Sequence, residues 1–322
     1  MTLSMWRLIF TGVLVGAISA TQAQDKYPNK PLQLYVPITP GATVDILARL
    51  AGDKLTQRLG QPVAIINRPG AGGTIAADAV LKAGADGHTL FYTNSQHSIS
   101  ARLLPNLPFD AVRDFSGVVL LADAPSVLGV SAQMGVRTLR EFLELARKQP
   151  GVINYAGAAP GSATHMAGTD FANYANIRLT YVAYTGGSLI PDLISNRIQA
   201  MFAPVAFLMP QIKEGKLLAL AITSPEAIRS PIVAPAAAEA GLPGYSYTTW
   251  YGVLASSKVP RPILTRLADE LQRVSDEPDI REKLAAQGIL PRKIALAEFD
   301  KFILADMERM GALIKANNIK PE

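Results

Sequence analysis

Residues 36–45 read Val-Pro-Ile-Thr-Pro-Gly-Ala-Thr-Val-Asp, so that an apolar strand breaks at Pro37, turns through Thr39-Pro40-Gly41 and restarts as a helix carrying Ile46, Leu47 and Leu50. A helix start leaves backbone N–H groups without intrahelical partners, and the aligned peptide dipoles make that end positive. The chemistry this turn offers is reversible capture of an anion, with Thr39, Gly41, Ala42 and Thr43 as its candidates. Asp45 falls in the first turn of the same helix. A carboxylate there would repel an anion, so its expected role is structural, pairing with the helix end for roughly 0.3–1 kcal/mol.

Three more turns have comparable chemistry. Asn94 and Ser95 can donate hydrogen bonds to an anion, and His97 beside them joins the site or pins the loop. Ala159, Pro160, Gly161, Ser162 and Thr164 form a second seat, in which Ser162 caps a helix while binding. His165, one residue beyond, is expected to brace the loop through a backbone hydrogen bond. Tyr184, Thr185 and Gly186 make the last turn.

Other chemistries find no footing. His88, His97 and His165 lack metal-ligand spacing, no Gly-x-Ser-x-Gly elbow occurs, and the carboxylates form no evident pair. Pro69-Gly-Ala-Gly-Gly73 lacks the Gly-Lys-Ser/Thr ending of a phosphate loop, and Ile75 stands where a dinucleotide fingerprint needs its last glycine. No catalytic residue, metal or cofactor is therefore expected.

The elements that position these turns alternate. In the stretch 30–122, strands at Leu32–Val36, 63–66 and 88–93 alternate with helices at Thr43–Leu59 and up to Ala83, and a polar turn is expected at 94–98. The stretch 125–245 repeats the alternation. Thr138-Leu-Arg-Glu141 is a capping box, its helix stops at Gln149-Pro150-Gly151, and strands follow at 152–156, 179–182, 198–203 and Leu217–Ile222. Beyond a strand near 245–255, Ile263, Leu267, Leu271 and Val274 mark one helical apolar face and Ile303, Met307, Met310 and Ile314 another. Such alternation predicts an α/β protein with parallel sheets flanked by helices, whose ligands sit at the carboxyl ends of the strands, where these turns lie.

Residues 1–23 have the parts of a secretory signal peptide: Arg7 as the only charge, an apolar run over 8–18 and a cleavage site at Thr21-Gln22-Ala23. The remaining chain of about 300 residues exceeds one ordinary core, so two domains are expected. The absence of cysteine excludes disulfides, thiolate metal sites and a cysteine nucleophile. Once Arg7 leaves with the leader, 30 basic residues face 26 acidic ones. That excess is scattered and without aromatic interleaving, so nucleic acid is not expected and a mild preference for anionic solutes is. No second apolar run reaches a transmembrane length.

Ten ordered segments carry a resemblance to a family: Tyr27-Pro-Asn-Lys-Pro31, residues 37–45, Asn67-Arg-Pro-Gly-Ala-Gly-Gly73, Asp86-Gly-His-Thr-Leu90, Leu107-Pro-Phe-Asp110 with Asp114-Phe115, Gly161-Ser-Ala-Thr-His165, Ala183-Tyr-Thr-Gly186, Lys213-Glu-Gly-Lys216, Ala240-Gly-Leu-Pro-Gly244 and Trp250-Tyr-Gly252. The chain resembles the Bug-type periplasmic substrate-binding proteins of the tripartite tricarboxylate transporter family over essentially its whole length after the leader. The resemblance implies a two-domain, Venus-flytrap fold closing over the carboxylate of a small organic acid. It also implies a discontinuous first domain, 24–124 plus 246–322, around a second at 125–245. A monomeric periplasmic protein of this kind passes its solute to membrane permease subunits. The alternatives on the same fold are a sensor that presents its closed form to a membrane histidine kinase, and an exported enzyme.

The chain departs from the family pattern at Ile38, Thr39 and Ala42, where Phe, Pro and Gly are usual, and Ser100 replaces a frequent Asn. Thr185 stands where many relatives carry Lys or Arg, and Ala203 where they carry Asp. Both changes are expected to remove charge from the cleft rim and to favour a less polar solute.

Overall fold

The computed structural model describes residues 27–184 and 187–321, so the leader, its cleavage site, Thr185 and Gly186 lie outside the described residues. Strand β1 (Leu32–Val36) is buried apart from Gln33 and lies between β2 (Val63–Asn67) and β3 (Thr89–Asn94), parallel to each. Helix α1 (Thr43–Leu59) follows β1, and α2 (Thr74–Lys82) follows β2 through a 3₁₀ turn at Ala71–Gly73. Where a polar turn was expected after β3, the chain forms α3 (Gln96–Leu103). Its buried residues are His97, Ser98, Ile99 and Ser100, so no apolar stripe announces the helix.

The 17-residue strand β4 (Phe115–Ser131) belongs to two sheets. After it come α4 (Leu139–Lys148), β5 (Asn154–Gly157), α5 (Ala163–Tyr174), β6 (Thr180–Ala183), α6 (Leu189–Ile194), β7 (Ala200–Pro204), α7 (Val205–Lys213) and β8 (Leu217–Ile222). The expected capping box at α4 is present, with Thr138 and Glu141 satisfying each other's backbone N–H groups. The chain then returns through β9 (Thr248–Ser256) to α8 (Arg261–Asp276), α9 (Pro278–Ala285), β10 (Leu290–Ala295) and α10 (Leu296–Ala316).

The first sheet holds β1, β2, β3, β9 and β10 with the N-terminal part of β4; the second holds β5 to β8 with its C-terminal part. The pairs β1–β2, β1–β3, β5–β6 and β5–β7 are parallel, whereas every pair made by β4 or β9 is antiparallel. Strand β4 carries the chain out of the first sheet and β9 brings it back in the opposite direction, so each sheet is parallel on one side and antiparallel on the other. Pairing of β4 with β9 runs to Pro125 opposite Thr248, and pairing with β7 begins at Ser126 opposite Pro204. The C-terminal helices lie on the first sheet's side: Arg58 meets Glu270 at 2.7 Å and Lys54 meets Glu277 at 2.5 Å.

The core follows the same division. Leu34, Val36, Leu47 and Leu55 pack with Leu267 and Leu271, and Phe142, Phe171 and Phe202 pack with Tyr245 and Tyr247. Helix α10 serves both parts, placing Phe299, Ile303 and Met307 with Trp250, and Met310 and Ile314 with the Phe171 cluster. Where β4 changes sheets, the buried Thr223 joins three segments. Its hydroxyl accepts from Ser126 N–H at 2.8 Å and donates to the Tyr247 carbonyl at 2.6 Å. Its own N–H and carbonyl bond to Ser126 and Tyr247.

Candidate functional site

The turn between β1 and α1 is shaped by a side-chain network. Gly41 takes φ +88°, and its N–H donates to Asp45 Oδ2 at 2.9 Å. Asp45, 2% exposed, also accepts from Arg49 Nε at 3.0 Å and from Asn67 Nδ2 at 2.8 Å. The same Asn67 amide donates to the Ile38 carbonyl at 3.0 Å. Burial alone would raise the Asp45 pKa, but its bonds to Arg49, Gly41 and Asn67 outweigh that and hold it below the ordinary value. Asp45 is thus an ionised brace, its charge offset by Arg49. Ala42 caps α1 without a side-chain bond. The N–H groups of Thr43 and Val44, in the helix's first turn, therefore remain available at an incompletely buried turn that includes the exposed Thr39.

The turn between β5 and α5 repeats this plan. Gly161 takes φ +76°, and its N–H donates to His165 Nδ1 at 3.0 Å. Ser162 caps α5 by accepting from His165 N–H at 3.3 Å, and Thr164 Oγ1 accepts from Ala158 N–H at 3.0 Å. Within the turn, Ser162 N–H donates to the Ala159 carbonyl at 2.9 Å. Ala163 and Thr164 keep first-turn N–H groups free of intrahelical bonds, and Ala159 and Pro160 lie at the incompletely buried rim. The His165 ring stacks on Tyr181 with centroids 3.8 Å apart, and the Tyr181 hydroxyl donates to the Ala158 carbonyl. Burial pushes the His165 pKa down to about 4. The neutral imidazole is the form whose Nδ1 can accept from Gly161.

Helix α3 connects the two turns. A side chain at Gly161 would place Cβ 2.3 Å from Leu103 Cδ2, so the second-sheet turn packs directly on α3, at a position whose φ of +76° favours glycine. Three residues earlier on the same helix, Ser100 Oγ donates to the Gly72 carbonyl at 2.8 Å, tying α3 to the loop that follows Asn67. Sequence reading singled out neither Asn67 nor Ser100 as a seat residue, since their partners are remote in sequence.

The remaining candidates divide. Asn94 Oδ1 accepts from Gln96 N–H at 3.0 Å, leaving its amide donors for the rim. Ser95 is buried, and its Oγ accepts from Trp250 N–H at 3.0 Å, so this hydroxyl joins β3 to β9. His97 is buried between Phe91 and Phe115, with Nε2 3.3 Å from the Ala111 carbonyl, which makes it a loop pin. Tyr184 N–H donates to the Gly157 carbonyl, linking the two second-sheet turns, and its hydroxyl donates to Asp192 at 2.8 Å. Ala203 differs from expectation. It is fully buried with Val127, Val205 and Leu208, because strand alternation turns it into the core and away from any rim. Among the described residues no group of three or more His, Cys, Asp or Glu could hold a metal ion, and no helix is long and apolar enough to cross a membrane.

Comparison with known proteins decides the family. The model of the tripartite tricarboxylate transporter family receptor matches residues 47–319. The chain belongs to this family. It is 36% identical over 291 residues to a protein from the tcbD–tcbE intergenic region of Pseudomonas sp. strain P51, covering 88% of this chain and 86% of that one. Among solved structures, Rpa4515 of R. palustris with adipate superposes with a TM-score of 0.79 at 28% identity, covering 92% of this chain and all of that one. MatC of Rhodopseudomonas palustris with bound malate gives 0.74 at 30% identity, covering 89% of this chain and all of that one. Family membership makes the mixed α/β architecture that of a periplasmic solute-binding protein.

Proposed function

We propose that this chain is a periplasmic receptor that closes two lobes, 24–124 plus 246–322 and 125–245, over the carboxylate of a small organic acid and delivers it to a tripartite tricarboxylate-type permease. The observation that carries the reading is the pair of matched helix starts, Thr43-Val44 and Ala163-Thr164, each with free N–H groups and a flanking hydroxyl. The acid in the first turn of α1, Asp45, is compensated by Arg49, and the first turn of α5 has no acid, so no uncompensated acid in either first turn opposes an incoming anion. Relatives solved with adipate and malate support the same ligand class.

In this mechanism the ligand binds by population shift. A carboxylate held by both helix starts favours the closed arrangement over open ones, with the hinge at the crossing of β4 and β9. Charge-assisted hydrogen bonds contribute about 1.5–3 kcal/mol each, so a few of them, less the ordering cost, reach a micromolar constant near −8 kcal/mol.

Purified protein is denatured, and the released small molecules are identified by mass spectrometry, with calorimetric titration of adipate, malate and aromatic acids in parallel. A stoichiometric carboxylic acid, or micromolar binding of one of these, supports the receptor. Failure of every carboxylate to bind overturns the ligand class. A bound acid that the protein converts into a second compound overturns the receptor in favour of an enzyme.

A further inference from the structure

The two seat turns share one geometric device. In each, a glycine with positive φ precedes the first helical residue by two positions, and its N–H is held by the side chain four residues on: Gly41 by Asp45 Oδ2 at 2.9 Å, Gly161 by His165 Nδ1 at 3.0 Å. One acceptor is a carboxylate and the other an imidazole, yet both lie in the first turn of the helix and are over nine-tenths buried. Each is fixed from behind, Asp45 by Arg49 and Asn67, and His165 by the stacked Tyr181 ring. Neither glycine N–H is therefore left for a ligand. The amides left for it belong to the next residues, whose direction the clamp sets.

We propose that Asp45 and His165 are equivalent positioning residues of the carboxylate seat. Each consumes a glycine N–H so that the first-turn amides of α1 and α5 are fixed toward the cleft before a ligand arrives. Preorganised donors bind more tightly because no ordering cost is left to meet on association. The inference rests on the receptor reading for its consequence, but the clamps themselves exist without ligand and can be tested without it.

The experiment uses 15N-labelled purified protein and the variants D45A, H165L and H165N. Amide exchange at Gly41 and Gly161 is measured without ligand, thermal midpoints are recorded, and adipate is titrated calorimetrically. H165L removes the acceptor, whereas the H165N carboxamide oxygen can occupy the place of Nδ1. Exchange at Gly161 is expected to quicken about tenfold or more in H165L and to stay within about threefold of wild type in H165N, as for the loss of one hydrogen bond. Exchange at Gly41 should quicken similarly in D45A. Adipate affinity should fall about ten- to a hundredfold in D45A and H165L and recover in H165N.

Unchanged glycine exchange in both D45A and H165L would overturn the clamps. Equal loss of affinity in H165L and H165N, tracking only their thermal midpoints, would reduce His165 to a packing residue and overturn its positioning role. If D45A does not fold, the H165L and H165N pair decides. A wild-type protein that takes up no adipate counts against adipate as its ligand, and the exchange data then decide the clamps by themselves.

Discussion

His97 and His165 are both buried, and burial drives both imidazoles from an ordinary 6.5 down to about 4, against the opposing pull of the Ala111 carbonyl at His97. In the unfolded chain both regain the ordinary value, so between these limits the unfolded state binds more protons. Their contribution is complete above about pH 6.5 and is lost as pH falls toward 4, at about 1.4 kcal/mol per pH unit for each ring. The groups facing them are uncharged: Phe91 and Phe115 around His97, Tyr155 and Tyr181 around His165. The buried Asp123, Asp170 and Asp306 have raised pKa values, chiefly from burial, and work in the opposite sense at the acid end. The difference between proteins isolates the histidines. Urea unfolding at pH 7 and pH 5 should show wild type losing more stability than H97Q or H165N, by about 1–2 kcal/mol for each ring removed. Equal losses in all three would show that the rings titrate normally.

At the scale of elements, the connectors at 123–126 and 245–250 depend on Thr223. T223V keeps its shape but leaves the Ser126 N–H and the Tyr247 carbonyl each without a buried partner, at about 1–3 kcal/mol per group. Chemical denaturation should show that loss, whereas T223S should recover most of it. Elements with a local cause were legible in the sequence: α4 from its capping box, α1 from its helix start and apolar periodicity, β8 from its apolar run between turns. Elements defined by distant partners were not. Strand β4 is buried on both faces and interrupted by Gly117, Pro125 and Gly129, so it shows no alternation. Helix α3 has a largely polar buried side, α7 contains Pro210, and β10 is mostly exposed. The candidate site divides in the same way. Its turns were visible because a turn is local, but Asp45 meets Asn67 across 22 residues and Ser95 meets Trp250 across 155.

Over the whole molecule, α10 ties the first part of the fold to the second. Arg309 reaches Asp170 on α5 at 2.8 Å and the Ser246 carbonyl at 3.3 Å, and lies 5.1 Å above the Tyr247 ring. Asp170 is the more buried partner, so R309Q leaves a largely desolvated carboxylate with a weakened partner, a loss of roughly 1–3 kcal/mol. Hydrogen exchange should quicken in the last turns of α10 and in α5 while β1, β2 and β3 keep their protection. A uniform change over all strands would show instead that the pair serves global stability.

The crossing of β4 and β9 also orders events in time. Bringing Pro125 opposite Thr248 closes a loop of about 120 residues, which for a flexible chain costs about 4 kcal/mol in entropy. Collapse of the intervening segment on its own core shortens that loop before the two strands meet. The order expected from this is from the inside outward: the inserted segment condenses first, β9 then zips along β4, and β10 and α10 add last, when both surfaces they cover exist.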